Sequence, residues 1–124
     1  MLTEKFYDVL NHEGVVSIVS LGVDEAHVTC TWNSYLVVTD DERILIPAAG
    51  MHSTENDVNH NNKVKVTLGA REVMGRNNYQ GTGFEIGGTA KFLTAGSEFD
   101  MMKGKYSFLN RVLEITVSSA KQLL

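Results

Sequence analysis

The sequence predicts the α+β class with β dominant: an antiparallel sheet or barrel with short covering helices. Three observations predict it. Short apolar, β-branched runs recur along all 124 residues, bounded by Gly, Asn and Asp. The polar connections between them are too short for parallel crossovers, which need about a dozen residues or more. Only three stretches carry helical spacing. At this length the chain is one domain, residues 1–124, with a single core.

In order, residues 3–12 read as a short amphipathic helix. Thr3 is placed to cap it, Glu4 suits the first turn, and Phe6, Val9 and Leu10 share one face. Gly14 is expected to stop it in the left-handed conformation. Residues 15–21 form a mostly buried strand. Residues 26–32 alternate, with Ala26, Val28, Cys30 and Trp32 on one face and His27, Thr29 and Thr31 on the other, and complete a hairpin. Residues 35–39 and 44–46 are strands around a polar turn. After Gly50, Ser53 or Thr54 is the expected cap of a second helix, ended by Asn59-His60-Asn61-Asn62. Residues 63–68 return to strand. Residues 69–83, with glycines at 69, 75, 81 and 83, are expected to be the longest irregular segment. Residues 84–93 are a long strand with a bulge or close approach at Gly87-Gly88. Ser97 is the expected cap of a third helix running to about Leu109, and residues 112–118 are the last strand. The apolar tail, residues 120–124, is expected to dock on something. The total is about six or seven strands and three helices.

Composition narrows the function. Eleven Lys and Arg against fifteen Asp and Glu give a net charge of −4, with no basic patch for a phosphate backbone, so a nucleic-acid partner is disfavoured. No apolar run approaches the roughly 20 residues of a membrane helix, and the first residues lack a signal-peptide pattern, so the expected location is the cytoplasm. Cys30 is the only cysteine, which excludes an intrachain disulfide and a thiolate metal site. It is expected to be a small buried strand residue. His12, His27, His52 and His60 show no metal-ligand spacing. No Gly-x-Ser-x-Gly elbow and no convincing acid–base pair is present, so no catalytic residue is named.

A flat aromatic ligand with a phosphate tail needs an aromatic wall, backbone donors at its polar edge and an anion-ready helix start. Trp32, the only tryptophan, and Tyr35 offer the wall, with Thr31, Asn33 and Ser34 around them. The stretch Pro47-Ala48-Ala49-Gly50-Met51-His52-Ser53-Thr54 offers close backbone approach and then hydroxyls at a helix start. The same residues also fit a core tryptophan and an ordinary helix cap, and spacing alone leaves both readings open. Arg71 and Arg76 fit either a phosphate contact or solvated loop arginines. Gly81-Thr82-Gly83 precedes a strand, so it is a tight loop or a ligand contact rather than a dinucleotide fingerprint.

Several stretches carry a resemblance: Glu13-Gly14-Val15-Val16, Thr31-Trp32-Asn33-Ser34-Tyr35-Leu36, Gly50-Met51-His52, Thr54-Glu55, Thr67-Leu68-Gly69, Gly75-Arg76-Asn77, Gly81-Thr82-Gly83-Phe84 and Ile115-Thr116-Val117, with the terminal Ser119-Ala120 and Leu124. The whole chain resembles the small FMN-binding proteins of the split-barrel flavoprotein superfamily, which includes the pyridoxamine-phosphate oxidases. The resemblance implies a six-stranded antiparallel split β-barrel, a homodimer, and one non-covalent FMN per subunit near the dimer interface. It implies Thr31, Ser53 and Thr54 around the phosphate, Trp32 and Tyr35 against the ring, and backbone of Ala48, Ala49, Gly50 and Met51 at the ring's edge. The expected contact set also takes in Asn33, Ser34, His52, Arg71, Gly81 and Thr82. The partner subunit is expected to add Tyr106 or Phe108, and Leu124. The implied activity is electron transfer, with a redox partner protein; the alternative is a flavin reductase or a pyridoxamine-phosphate-oxidase-like oxidoreductase on the same fold. Ser53 stands where the family pattern has a lysine, so either Arg71 or His52 compensates or the affinity is lower, and Cys30 stands where it has an asparagine.

Overall fold

A computed structural model describes all residues from Met1 to Leu124. The first helix, α1 (Glu4–Leu10), starts as the sequence predicts: the Phe6 amide donates to Thr3 Oγ1 at 3.4 Å. Gly14 does not stop it in the left-handed region; α1 closes on Asn11 with right-handed angles. Gly14 is a glycine for another reason, because a Cβ there would collide with the Gly69 carbonyl oxygen. Strands β1 (Val15–Leu21) and β2 (Ala26–Trp32) form the expected hairpin, with Val15 opposite Trp32 and Leu21 opposite Ala26.

The expected strand over 35–39 shrinks to β3 (Val37–Val38), because Asn33–Tyr35 winds into a 3-10 turn closed by the Leu36 amide on Asn33 O. Next come β4 (Arg43–Ala48), α2 (His52–His60), β5 (Lys63–Met74), β6 (Gln80–Leu93), α3 (Ser97–Lys105) and β7 (Arg111–Gln122). The segment 69–83 is not an irregular loop. Strand β5 continues to Met74 and β6 begins at Gln80, with Asn77 and Asn78 in the left-handed region at the turn (φ 54° and 61°). Its glycines serve strand approach: Gly69 pairs with Gly83, where side chains would meet the opposite backbone. The bulge at Gly87-Gly88 is present as a register shift against β7.

All seven strands form one antiparallel sheet in the order β2-β1-β5-β6-β7-β4-β3. The count exceeds the expected six by the two-residue β3, and the ladder is not closed, since β2 and β3 have no partner on their outer edges. The sheet curls around one core, because residues from strands near both ends, Ile18, Val66, Ile44 and Ile115, belong to the same buried cluster with Phe6 and Val9 of α1. Strand β4 is buried on both faces: Ile44 and Ile46 face that core, while Leu45 packs under α3 with Met102, Leu109 and Val112.

Three caps depart from expectation. Met51 adopts the left-handed conformation (φ 63°, ψ 35°) and α2 begins at once, so Ser53 and Thr54 fall inside its first turn and neither caps it. Gly96 (φ 110°) precedes α3 in place of Ser97, and α3 ends at Lys105 rather than near Leu109. The expected tail is mostly strand: β7 reaches Gln122, and the Leu123 amide donates to Gly83 O at 2.8 Å. No helix is long and apolar enough to cross a membrane.

Candidate functional site

Strand β2 is a sheet edge whose inner face is the polar one. Alternation turns Thr31 inward (8% exposed) and leaves Trp32 46% exposed on the outer face with Val28 and Cys30. This excludes a core tryptophan and corrects the expectation that Cys30 is buried; it is exposed. Period-two alternation reports two faces without saying which one the core takes. Here His27 and Thr31 find inward partners or space, and the apolar face is left out.

Trp32 forms one side of a cavity of about 290 Å³. Of the expected residues, Thr31, Trp32, Tyr35, Ala49, Gly50, Met51 and Phe108 line it. Pro47, which opens the stretch singled out in the sequence, lines it too, as do Thr29 and Cys30, which were not expected contacts; as alternating strand residues those two carry no ligand signal of their own. Behind Tyr35 stands an aromatic group within the same subunit. Its ring centroid is 5.1 Å from that of Tyr106 and 5.5 Å from that of Phe108. Tyr106 Oη donates to Ser34 O at 3.0 Å, and burial, then the neighbouring Tyr35, raises its pKa. Both aromatics therefore pack on Tyr35 of the same chain, because the segment after the short α3 folds back over the 3-10 turn.

Asn33 does not line the cavity. It is fully buried and pins the turn from below, donating through Nδ2 to the carbonyls of His12 (2.8 Å) and Gly69 (3.1 Å). Ser34 donates its amide and hydroxyl to Glu13, at 3.1 and 2.7 Å, and these bonds, the hydroxyl's foremost, hold the Glu13 carboxyl below its ordinary value.

Opposite the aromatics lies the β4–α2 connection. The amides of five consecutive residues, Gly50 to Thr54, donate to nothing within the protein. Three belong to the uncapped first turn of α2, and the left-handed Met51 turns the chain into it, a nest-like run of donors suited to an anion. Thr54 is 2% exposed, while His52 and Ser53 are exposed and Ala48 is buried in β4. Arg111, 9% exposed, braces the connection from behind. Its guanidinium donates to Ala49 O at 3.1 Å, to Gly50 O, and to Glu55 at 3.1 Å, and it stacks over Phe92. The sequence reading missed it; an arginine opening an apolar strand is the signal that would have found it.

Arg71, Gly81, Thr82 and Leu124 gather elsewhere, around a second cavity of about 400 Å³ that also takes in Glu13 and Tyr79. There Thr82 Oγ1 donates to Leu124 O at 3.1 Å. Arg71 thus lines the second cavity and not the first, and His52 is the basic side chain at the helix start.

A sequence profile of the pyridoxamine 5'-phosphate oxidase family matches residues 2–124. The chain is 48% identical, over the full length of both, to a protein of Nitratidesulfovibrio vulgaris named FMN-binding protein. Its fold is similar to that of HupZ from Group A Streptococcus (TM-score 0.81, 17% identity, 99% of this chain and 94% of that one). It is also similar to that of an FMN-binding protein from Syntrophomonas wolfei (TM-score 0.74, 16% identity, 99% and 86%). With that profile matching residues 2–124 and a relative 48% identical along its whole length, the chain belongs to the pyridoxamine 5'-phosphate oxidase family.

Proposed function

We propose that this protein is a cytoplasmic, homodimeric flavoprotein that binds FMN without a covalent bond and carries electrons. One observation carries the reading: a run of five unpaired backbone amides, Gly50 to Thr54, begins at two residues, Gly50 and Met51, that line an aromatic cavity walled by an exposed tryptophan. A flat ring with an anionic tail answers both the exposed Trp32 and the unsatisfied donors beside it. Trp32, Tyr35 and Phe108 would hold the ring, the Gly50 and Met51 amides its polar edge, and the His52, Ser53 and Thr54 amides with the Thr54 hydroxyl the phosphate. With so many amides available, Ser53 in place of a lysine costs the site a cation but no hydrogen bond. When bound, the flavin supplies the redox chemistry, and the protein supplies orientation and tuning.

The homodimer is supported by the outer face of β1 and β2. Val28 is 64% exposed, Val15 and Leu21 about half, and Trp32 continues the same face. Contiguous apolar surface of this kind marks an interface, and a cavity of about 290 Å³ lies at the small end for a ligand site, which suits closure by a second copy. The free, exposed Cys30 suits a reducing compartment.

The test is the absorbance spectrum of the purified protein, with released cofactor identified and FMN titrated into apoprotein. A yellow protein that quenches FMN fluorescence at one equivalent per subunit is expected; a colourless protein that leaves added FMN fluorescent overturns the reading. Rapid NAD(P)H oxidation by the yellow protein would move the assignment from carrier to reductase.

A further inference from the structure

The Arg111 side chain is nine-tenths buried: its Nη2 donates to main chain, to Ala49 O at 3.1 Å and to Gly50 O, while Nε donates to Asn110 Oδ1 at 3.1 Å, and Asn110 Nδ2 adds a second donor to Ala49 O at 3.2 Å. A trans peptide holds its C=O and N–H in opposite directions, and no peptide here is cis. With the Ala49 and Gly50 carbonyls drawn onto Arg111, the following amides, those of Gly50 and Met51, must point the other way. Gly50 and Met51 line the aromatic cavity. The same guanidinium binds Glu55 Oε1 at 3.1 Å, and Glu55 is the acidic residue in the first turn of α2. An unpaired carboxylate at that place would favour the helix start for itself and repel an anion arriving at the His52–Thr54 amides.

We propose that Arg111 is the positioning residue of this site. By holding the Ala49 and Gly50 carbonyls it sets the Gly50 and Met51 amides toward the flavin ring, and by pairing Glu55 it keeps a competing carboxylate away from the phosphate. The proposal rests on the flavin reading above and adds a residue that touches no part of the ligand.

Riboflavin, which has no phosphate, separates the two roles. Arg111→Met keeps the length and apolar stem while removing every donor. At 20 °C, with folding checked by circular dichroism, it should bind riboflavin about tenfold more weakly and shift the bound flavin's visible maxima, through the misaligned amides. FMN should weaken further than riboflavin, and Glu55→Gln in the Arg111→Met background should bring the FMN-to-riboflavin ratio back toward wild type. A role in stability alone would lower the melting temperature without moving either ratio or spectrum. Unchanged riboflavin affinity and spectrum in folded Arg111→Met overturn the proposal. If that variant does not fold, Arg111→Lys decides: it keeps the charge but loses the two-carbonyl grip, so several-fold weaker riboflavin binding is expected and wild-type binding overturns it. Wild-type protein that binds neither flavin would instead sink the flavin reading, whatever Arg111 does.

Discussion

His27 Nδ1 lies 2.7 Å from Asp57 Oδ2, and this pair ties the edge strand β2, which lines the candidate site, to helix α2, whose leading connection lines it too. Asp57 is 3% exposed and also accepts from the fully buried Ser20 hydroxyl at 2.8 Å. The hydrogen bond to Asp57 raises the His27 pKa against the opposing effect of burial, and Glu25 at 3.7 Å adds to the rise. For Asp57, burial pushes the carboxyl up, but the bonds from His27 and Ser20 outweigh it and the net shift is downward.

The sign of the pH dependence follows. A raised histidine contributes stability that is fully present below its ordinary value of 6.5 and is lost as pH rises through the elevated folded value. A depressed carboxyl contributes stability present above its ordinary value of 3.8 and lost as pH falls through the lowered folded value. The lead in melting temperature of the wild type over His27→Gln should therefore be widest between pH 3.8 and 6.5 and narrow steadily in alkaline buffer. Melting curves across that range check it; a lead that is the same in acid and alkali would refute the coupling.

Trp32→Ala removes a side chain that is already 46% exposed, so the isolated subunit should lose little stability. Flavin affinity is another matter, since the wall of the cavity goes with it. We expect FMN to bind about tenfold more weakly, in line with the loss of one aromatic stacking partner, and its visible bands to shift. Equilibrium dialysis and absorbance measure both, and an unchanged dissociation constant with an unchanged spectrum contradicts the stacking role.

Val28→Lys places a charge on the most exposed part of the β1–β2 outer face, where Val28 sits opposite Val19. Sedimentation should show a dimer for the wild type and a shift toward monomer for the variant, with unfolding of the monomer unaffected. Equal sedimentation of the two proteins would place the interface elsewhere.

Arg43 stands between three carboxylates: Asp41 at 3.0 Å, Glu98 at 2.6 Å and Glu114 at 2.7 Å. Glu114 is 6% exposed, and its other cation, Lys91, is 3.7 Å away. Arg43→Met should cost about 2 kcal/mol by stranding Glu114, toward the low side because Arg43 keeps some contact with solvent. Double substitution with Glu114→Gln should recover part of that loss. Chemical denaturation of the single and double variants measures it, and additive effects would rule out the coupling.

Much of this molecule is legible in one dimension. The 15–21 and 26–32 hairpin, the helix after Thr3 and the bulge at Gly87-Gly88 follow from alternation, capping and glycine chemistry, all of which act over a few residues. Trp32, Tyr35, Gly50 and Met51 do line one cavity, but spacing alone had left that reading level with a core tryptophan and an ordinary helix cap. The glycines at 69 and 83 misled because glycine marks both loops and close strand approach, and only the opposing backbone distinguishes them.

What local chemistry left open, long-range contact settled. Alternation in β2 defined two faces, and the tertiary structure chose the polar one for the inside, which put Trp32 and Cys30 in the open. Arg71, Gly81, Thr82 and Leu124 went to a second cavity because β5 and β6 extend as strands beyond the expected loop. Arg111 reaches Ala49 and Gly50 across 61 or 62 residues of sequence, a separation that no periodicity or spacing encodes. Residue types and their intervals determined which elements form and which chemistry they carry; the direction each face and each backbone amide points was decided only when distant segments packed, because that orientation is a property of the pair and not of either segment.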